Sequence, residues 1–262
     1  MDMRERINLL AETDEDRFVL TRLVERMTAA ANRNIPAAVP FLSLRQQAYG
    51  QALLSDPAVH FFGGYGEAER AVCCYVPDYL DPVPYLYGED SPIQAVEARF
   101  YEGDSLSHRD FLGALMGMGI KRETVGDILV HPGRCQFLVT REIAPYVLQN
   151  LQSAGRTRLQ LSPMPFSELA PPVPETKTVQ VTVASLRLDS VTAAGFGLSR
   201  AEAVKNIETC RTAVNGIPCE KPDFAVREGD RLTVRGMGKI ELKTVGGTTR
   251  KGRIGITILR YI

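Results

Sequence analysis

The stretch that decides the fold begins Ser185-Leu186-Arg187-Leu188-Asp189, turns through Gly195-Phe196-Gly197-Leu198, and restarts as Ser199-Arg200-Ala201-Glu202-Ala203-Val204-Lys205. Ser199 with Glu202 three residues later is a capping box, which opens a helix there. A preceding helix is expected from near Ser185, and the two glycines suit the tight reversal between the pair. That reading places Arg187 and Arg200 each in a first helical turn, where the macrodipole disfavours a cation that has no anion to meet. Free amides at a helix start beside a guanidinium make a phosphate site. Asp189 is expected to orient Arg187 or to cap the helix, because a carboxylate repels phosphate. Val204 and Ile207, three apart on one face, are expected in the core. Downstream, Val214-Asn215-Gly216-Ile217 carries the Asn-Gly signature of a hairpin. In Arg231-Leu232-Thr233-Val234-Arg235 the apolar residues alternate with polar ones, which sets the two arginines on one solvent face of a strand.

Outward from this stretch, the charge distribution points the same way. The 262 residues carry 31 Lys and Arg against 31 Asp and Glu, a formal net charge of zero. Residues 176–262 hold 15 basic and 8 acidic residues, net +7, so residues 1–175 carry net −7. The basic third is the third with the helix pair, the electrostatic footprint of a nucleic-acid-binding module. The acidic portion is expected either to space this module or to meet a protein partner. The sequence contains no apolar run of about eighteen residues, and its charged start lacks the apolar region of a signal peptide, so no membrane span is expected. The five cysteines, Cys73, Cys74, Cys135, Cys210 and Cys219, are scattered and never spaced C-x-x-C. A reduced, cytoplasmic protein without a zinc ribbon or a disulfide framework is the expectation.

Along the chain, an acidic helix start at Thr13-Asp14-Glu15-Asp16 leads into helical spacing that ends at Asn34-Ile35-Pro36. A second helix is expected over 43–54, then strands over 58–62 and 70–76 joined by a Gly-rich turn, and a boundary in the proline-rich 77–92. From Ile93 the order strand, helix, strand, strand, helix, strand is that of a ferredoxin-like or RRM-like unit. Its third strand, with Phe137 alone, lacks the aromatic platform that stacks bases. The fold class is therefore α/β (α+β). An N-terminal α/β module over 1–77 precedes a ferredoxin/RRM-like β-α-β-β-α-β middle domain over 93–163. A proline-rich linker over 164–178 leads to a basic C-terminal domain over 179–262, whose last hairpin carries Arg250, Lys251 and Arg253 at its tip.

The order RLD, SR-x-E-A, VNG and V-x-x-GD-x-L-x-VRG resembles the S4 (αL-type) RNA-binding domain, a helix pair on a small β-sheet. Carried over by motif, the resemblance implies RNA-facing roles for Arg187, Asp189, Ser199, Arg200, Lys205, Asn215, Gly216, Arg235 and Lys239. Arg250, Lys251 and Arg253 at the basic hairpin tip are added as phosphate contacts. Two further segments, F-x-G-G-Y-x-x-A-E-R at Phe62 to Arg70 and S-H-R-D-F-L-G-A-L-x-x-x-G-I-x-R-x-x-x-G-D-I at Ser107 to Ile128, extend the likeness to the bacterial YlmH family. That family is similar to proteins encoded beside cell-division genes and to cyanobacterial and plastid S4 proteins linked to photosystem II. The resemblance implies a cytoplasmic, monomeric protein that binds rRNA or tRNA on stalled large ribosomal subunits with peptidyl-tRNA, in ribosome-associated quality control. A division or photosystem adaptor, or an accessory to rRNA modification, is the alternative.

Catalysis is not expected. Arg187-Leu188-Asp189 mimics the catalytic motif of pseudouridine synthases but lies inside the helix pair, and the signatures of tyrosyl-tRNA synthetases are absent. His60, His108 and His131 form no triad or metal arrangement, so no catalytic residue, metal or cofactor is expected.

Overall fold

A computed structural model describes residues 2–172, 175–250 and 252–261, and the chain divides into two compact units, Met1–Pro172 and Val173–Ile262. In the first unit the elements run α1 (Met3–Leu10), α2 (Asp14–Arg33), β1 (Ala37–Leu42), α3 (Leu44–Leu53), β2 (Val59–Phe62) and β3 (Ala71–Tyr75). They continue with α4 (Pro82–Tyr87), β4 (Ile93–Arg99), α5 (His108–Gly117), β5 (Val125–His131), β6 (Arg134–Thr140) and α6 (Ala144–Asn150). The short hairpin β7 (Ser153–Ala154) and β8 (Thr157–Arg158) and then β9 (Gln160–Met164) complete it.

Two sheets result, one ordered β1-β3-β2 and one ordered β5-β6-β4-β9, with antiparallel pairs throughout. The second order is that of the β-α-β-β-α-β unit. Alternation along β4 and β6 sends their side chains to two different cores. Val96, Phe137 and Val139 pack under α5 and α6 with Phe111, Leu115 and Val147. Ala95 and Leu138 pack on the opposite face with Phe41, Phe62, Val72 and Cys74 of the first sheet. The face that an RRM-like domain offers to RNA is therefore occupied by the unit's own N-terminal sheet.

Several sequence expectations are corrected by this packing. The proline-rich 77–92 is not a boundary between separate cores: it contains α4, capped by Asp81, and buries Leu86 in the cluster that holds Phe62 and Ile93. Strand β1 is hidden in the sequence by Pro40, which is tolerated because β1 is an edge strand with a register shift between Val39 and Leu42. Helix α1 is an addition to the expected elements, opened by a capping box between Asp2 and Glu5. Helix α6 ends at Asn150, and the β7–β8 hairpin follows it before β9. The linker is shorter than 164–178. Gln136, 1% exposed, donates its amide to the Glu168 carbonyl at 3.1 Å and accepts from the Ala170 N–H at 2.7 Å, which ties this segment to β6.

The second unit comprises β10 (Thr176–Val183), α7 (Leu188–Phe196), α8 (Arg200–Glu208), β11 (Thr212–Val214), β12 (Ile217–Pro218), β13 (Arg231–Val234), β14 (Gly238–Thr248) and β15 (Ile254–Tyr261). Its six strands are ordered β10-β15-β14-β13-β11-β12, all pairs antiparallel. Leu188, Val191, Phe196 and Ile207 of the helices bury against Leu232, Val234, Ile240 and Ile258 of the sheet. Gly197 closes α7 at φ +70°, a left-handed position that a side chain would strain.

None of the five cysteines forms a disulfide: Cys73, Cys74 and Cys135 are buried, Cys210 is exposed and Cys219 is half-buried. No helix of the described residues is long and apolar enough to cross a membrane. Among the described residues no group of three or more His, Cys, Asp or Glu is placed to hold a metal ion.

Candidate nucleic-acid interface

The site is built on the reversal between α7 and α8. Ser199 Oγ accepts from the Glu202 N–H at 3.2 Å, and the Ser199 N–H donates to Glu202 Oε2 at 2.9 Å, so the capping box read from the sequence is formed. Arg200 is the first residue of α8. Arg187 is the residue before α7 rather than a member of its first turn. The α7 start is also not an open anion site: the Leu188 N–H donates to the Phe224 carbonyl and the Asp189 N–H to the Pro222 carbonyl, each at 2.9 Å. The loop that precedes β13 has used the amides that a phosphate would need.

Asp189 organises the guanidiniums instead. Its Oδ1 accepts from Arg187 Nε at 3.2 Å, and its Oδ2 accepts from Arg200 Nη2 at 2.8 Å and Nε at 3.0 Å. The carboxylate side chain is 2% exposed, whereas Arg187 and Arg200 are 42% and 66% exposed. Burial pushes its pKa up, but the hydrogen bonds and charges of Arg200 and Arg187 more than offset this, and the net direction is down. A buried anion thus holds two exposed cations side by side. With Lys205, Val204 and Pro222 they line an open depression. Val204, expected in the core, is half-exposed here, and its neighbour Ala203 is buried instead, because the α8 face turns by one residue.

The other named positions divide by what their side chains already do. Ser199 is committed to its cap. Asn215 and Gly216 sit at φ 51° and 80° in the turn between β11 and β12. The Asn215 amide donates to Asp230 Oδ1 and accepts from the Arg231 N–H, each at 2.8 Å, so this side chain builds the turn. Asp189 likewise works from beneath the surface. Arg253 is clamped across the sheet, its Nε donating to Thr182 Oγ1 at 2.9 Å and its Nη2 to the Thr182 carbonyl. Arg235 lies just past β13 and is exposed, as is Arg250, whereas Lys239 stands 4.3 Å over the Tyr261 ring. Lys251 lies outside the described residues. Arg231 does not stand free beside Arg235: with Lys243 and Tyr261 it surrounds the buried Glu241 on the sheet face away from the helices. The contribution that spacing does not reveal is Arg211, whose Nη2 donates to the Arg235 carbonyl at 3.0 Å and secures that turn; Cys210 before it, at φ 53°, marks a tight corner.

A helix pair that presents paired guanidiniums from a small antiparallel sheet defines a basic module joined to a larger α/β unit. Residues 94–168 match the family model described as "Putative RNA-binding domain in YlmH". The "Ribosome-associated protein quality control protein P2" of Bacillus subtilis (strain 168) is 34% identical over 223 residues, which is 84% of this chain and 85% of that protein. A solved structure titled "Cell division protein ylmH from Streptococcus pneumoniae" is 22% identical, with a TM-score of 0.49, covering 60% of this chain and 96% of its own. The chain belongs to the YlmH family.

Proposed function

We propose that this chain is a non-enzymatic, cytoplasmic RNA-binding protein that associates with the ribosome, and that its second unit grips structured rRNA or tRNA at the α7–α8 depression. The observation that carries the reading is the Asp189 bridge, which fixes two exposed guanidiniums at adjacent positions. Guanidiniums held in one geometry meet phosphate oxygens as forks and lose little side-chain entropy on binding. Lys205 lengthens this row, and Arg235 and Arg250 are exposed phosphate contacts elsewhere in the same unit. The relative from Bacillus subtilis, named for ribosome-associated protein quality control, supports a ribosomal target, and we propose large subunits that carry peptidyl-tRNA as that target.

The match over 94–168 supports a second RNA surface on the first unit. Base stacking on the sheet does not fit there, because Ala95 and Leu138 on that face are fully buried. The exposed Arg109, Arg156 and Arg158, on α5 and the β7–β8 hairpin that packs against it, are the phosphate contacts we assign to this surface.

The test is co-sedimentation with purified large ribosomal subunits, free and bearing peptidyl-tRNA, of the wild type and of Arg187→Ala/Arg200→Ala. The wild type is expected to travel with the tRNA-bearing subunits and the double variant to remain at the top of the gradient. Wild-type protein that stays at the top with both kinds of subunit overturns the ribosomal reading.

A further inference from the structure

A cavity of about 390 Å³ in the first unit, bounded by α2, β1, the start of α3, Arg70 and Arg122, has no role in the reading above. Its size lies within the range of about 300–1,000 Å³ common to small-ligand sites. Val19, Leu23, Val39 and Phe41 make apolar walls. The Arg45–Asp16 ion pair, 2.9 Å long, also lines the cavity, which leaves Arg70 and Arg122 as the half-buried guanidiniums without a carboxylate partner among the described residues. Arg70 Nε donates to the Val125 carbonyl at 3.0 Å and its Nη2 to the Phe41 carbonyl at 2.9 Å, while Arg122 Nη1 donates to the same Val125 carbonyl.

Two like charges on one carbonyl repel, and among the described residues neither has a carboxylate within salt-bridge distance. Asp127, whose charge favours both cations without an ion pair, takes its hydrogen bonds from other groups: it accepts from Tyr65 Oη at 2.6 Å, from the Glu69 N–H at 2.7 Å and from the Arg70 N–H at 3.0 Å. Burial, then the charge of Arg122, lowers the pKa of Arg70 to about 10. An anion between the two guanidiniums would relieve both effects. At the mouth, Phe18 is 62% exposed, and the Arg22 guanidinium lies 5.8 Å from its ring centroid. An exposed ring with a guanidinium over it is a surface on which a flat heteroaromatic ring stacks. Glu15 and Glu123, also at the rim, are exposed and able to accept from sugar hydroxyls.

We propose that this cavity binds a 5′-mononucleotide unit, with Arg70 and Arg122 on the phosphate and Phe18 with Arg22 against the base. The unit has two sources, a free nucleotide or the phosphorylated 5′ end of an RNA. The site is independent of the α7–α8 depression, since every residue it uses belongs to the first unit.

The full chain is titrated by calorimetry with AMP, GMP, CMP, UMP, their nucleosides and inorganic phosphate. A short RNA carrying a 5′-phosphate is compared with the same RNA carrying a 5′-hydroxyl. Arg122→Met and Phe18→Ala are the variants, each first shown to keep the wild-type circular dichroism; Arg70 is left intact because it ties β1 to β5 through the Phe41 and Val125 carbonyls, whereas Arg122 bonds only the carbonyls of Val125 and Gly126 close by in sequence. At least one mononucleotide or the 5′-phosphorylated RNA is expected to bind saturably and at least about tenfold tighter than its form without phosphate. Arg122→Met should weaken that binding about 10- to 100-fold. Phe18→Ala should weaken the nucleotide about 5- to 100-fold and leave inorganic phosphate unchanged. Selective binding of the free nucleotides identifies the first source, and selective binding of the phosphorylated RNA end identifies the second. The proposal is overturned if the wild type shows no saturable preference for the phosphorylated form of any ligand, or if Arg122→Met binds as the wild type does.

Discussion

Asp189 Oδ2 accepts from Arg200 Nη2 at 2.8 Å across the reversal between α7 and α8, joining residues 11 apart in sequence. The carboxylate that the motif placed among the RNA-facing residues is buried, so in the proposed interface it would act only through the cations it positions. Arg200→Lys keeps the charge but loses the fork. RNA affinity in filter binding should fall about 5- to 20-fold, with thermal stability lowered by no more than about 1 kcal/mol, because Arg200 is largely exposed. An affinity equal to wild type would remove Arg200 from the interface.

Binding through phosphates alone makes affinity depend on salt. Neutralising three to five phosphates gives a slope of log K against log[salt] of roughly −2 to −4. Arg187→Ala/Arg200→Ala should flatten that slope by about 1 to 2. A wild-type slope near zero would contradict phosphate gripping.

Acid stability follows from the two buried carboxylates of the second unit that are depressed, Asp189 and Glu241. Burial pushes Asp189 and Glu241 up, but hydrogen bonds from Arg200 and Arg187 in one case, and from Tyr261 with the Arg231 charge in the other, leave both below their ordinary values. The native state therefore holds fewer protons than the unfolded chain, and the stabilisation is present above about pH 4 and lost as the pH falls through the lower folded values. Urea midpoints should drop between about pH 4 and 2, less steeply in Asp189→Asn than in the wild type. Parallel curves would mean that Asp189 titrates alike in the folded and unfolded chain.

Asp127 latches the loop between β2 and β3 onto β5 through Tyr65, Glu69 and Arg70. Tyr65→Phe removes one charge-assisted hydrogen bond and should cost about 1–3 kcal/mol. Asp127→Ala leaves two backbone N–H groups unmet and should cost more. Denaturant unfolding followed by tyrosine fluorescence compares them, and an Asp127→Ala chain as stable as wild type would show that the latch is dispensable.

The Asn215–Gly216 turn should be separable from RNA binding. Gly216→Ala forces a methyl group onto φ 80° and should cost about 1–2 kcal/mol of stability. At a temperature where the variant is folded, its RNA affinity should match wild type, and a selective loss of affinity would return this turn to the interface.

Much of the second unit is legible in the sequence because its signals are local. A capping box, an Asn-Gly turn and an alternating strand each declare themselves within a few residues, and Ser199, Gly216 and Leu232 behave as read. Which polar side chains stay free is not legible. Asn215 and Asp230 are 15 residues apart, and Arg253 and Thr182 are 71 apart, so their pairing depends on how the sheet closes. The first unit hides its continuity for the same reason. Leu138 and Phe41 meet only when two sheets stack, whereas the prolines of 77–92 are visible at once and suggest a break. The apolar run along β6 serves both cores, since a strand buried on both faces has no polar side to show.

The placement of the thiols gives the chain two kinds of reporter. Cys73, Cys74 and Cys135 are sealed in the first unit, and burial raises the Cys73 thiol to about 12, so almost no nucleophilic thiolate exists there at neutral pH. In the second unit Cys210, after α8, is exposed and Cys219, after β12, is half-buried. A maleimide dye therefore marks the second unit at once and leaves the first silent. Each later alkylation event then records an opening of the first unit, which makes the native sequence its own clock for local unfolding.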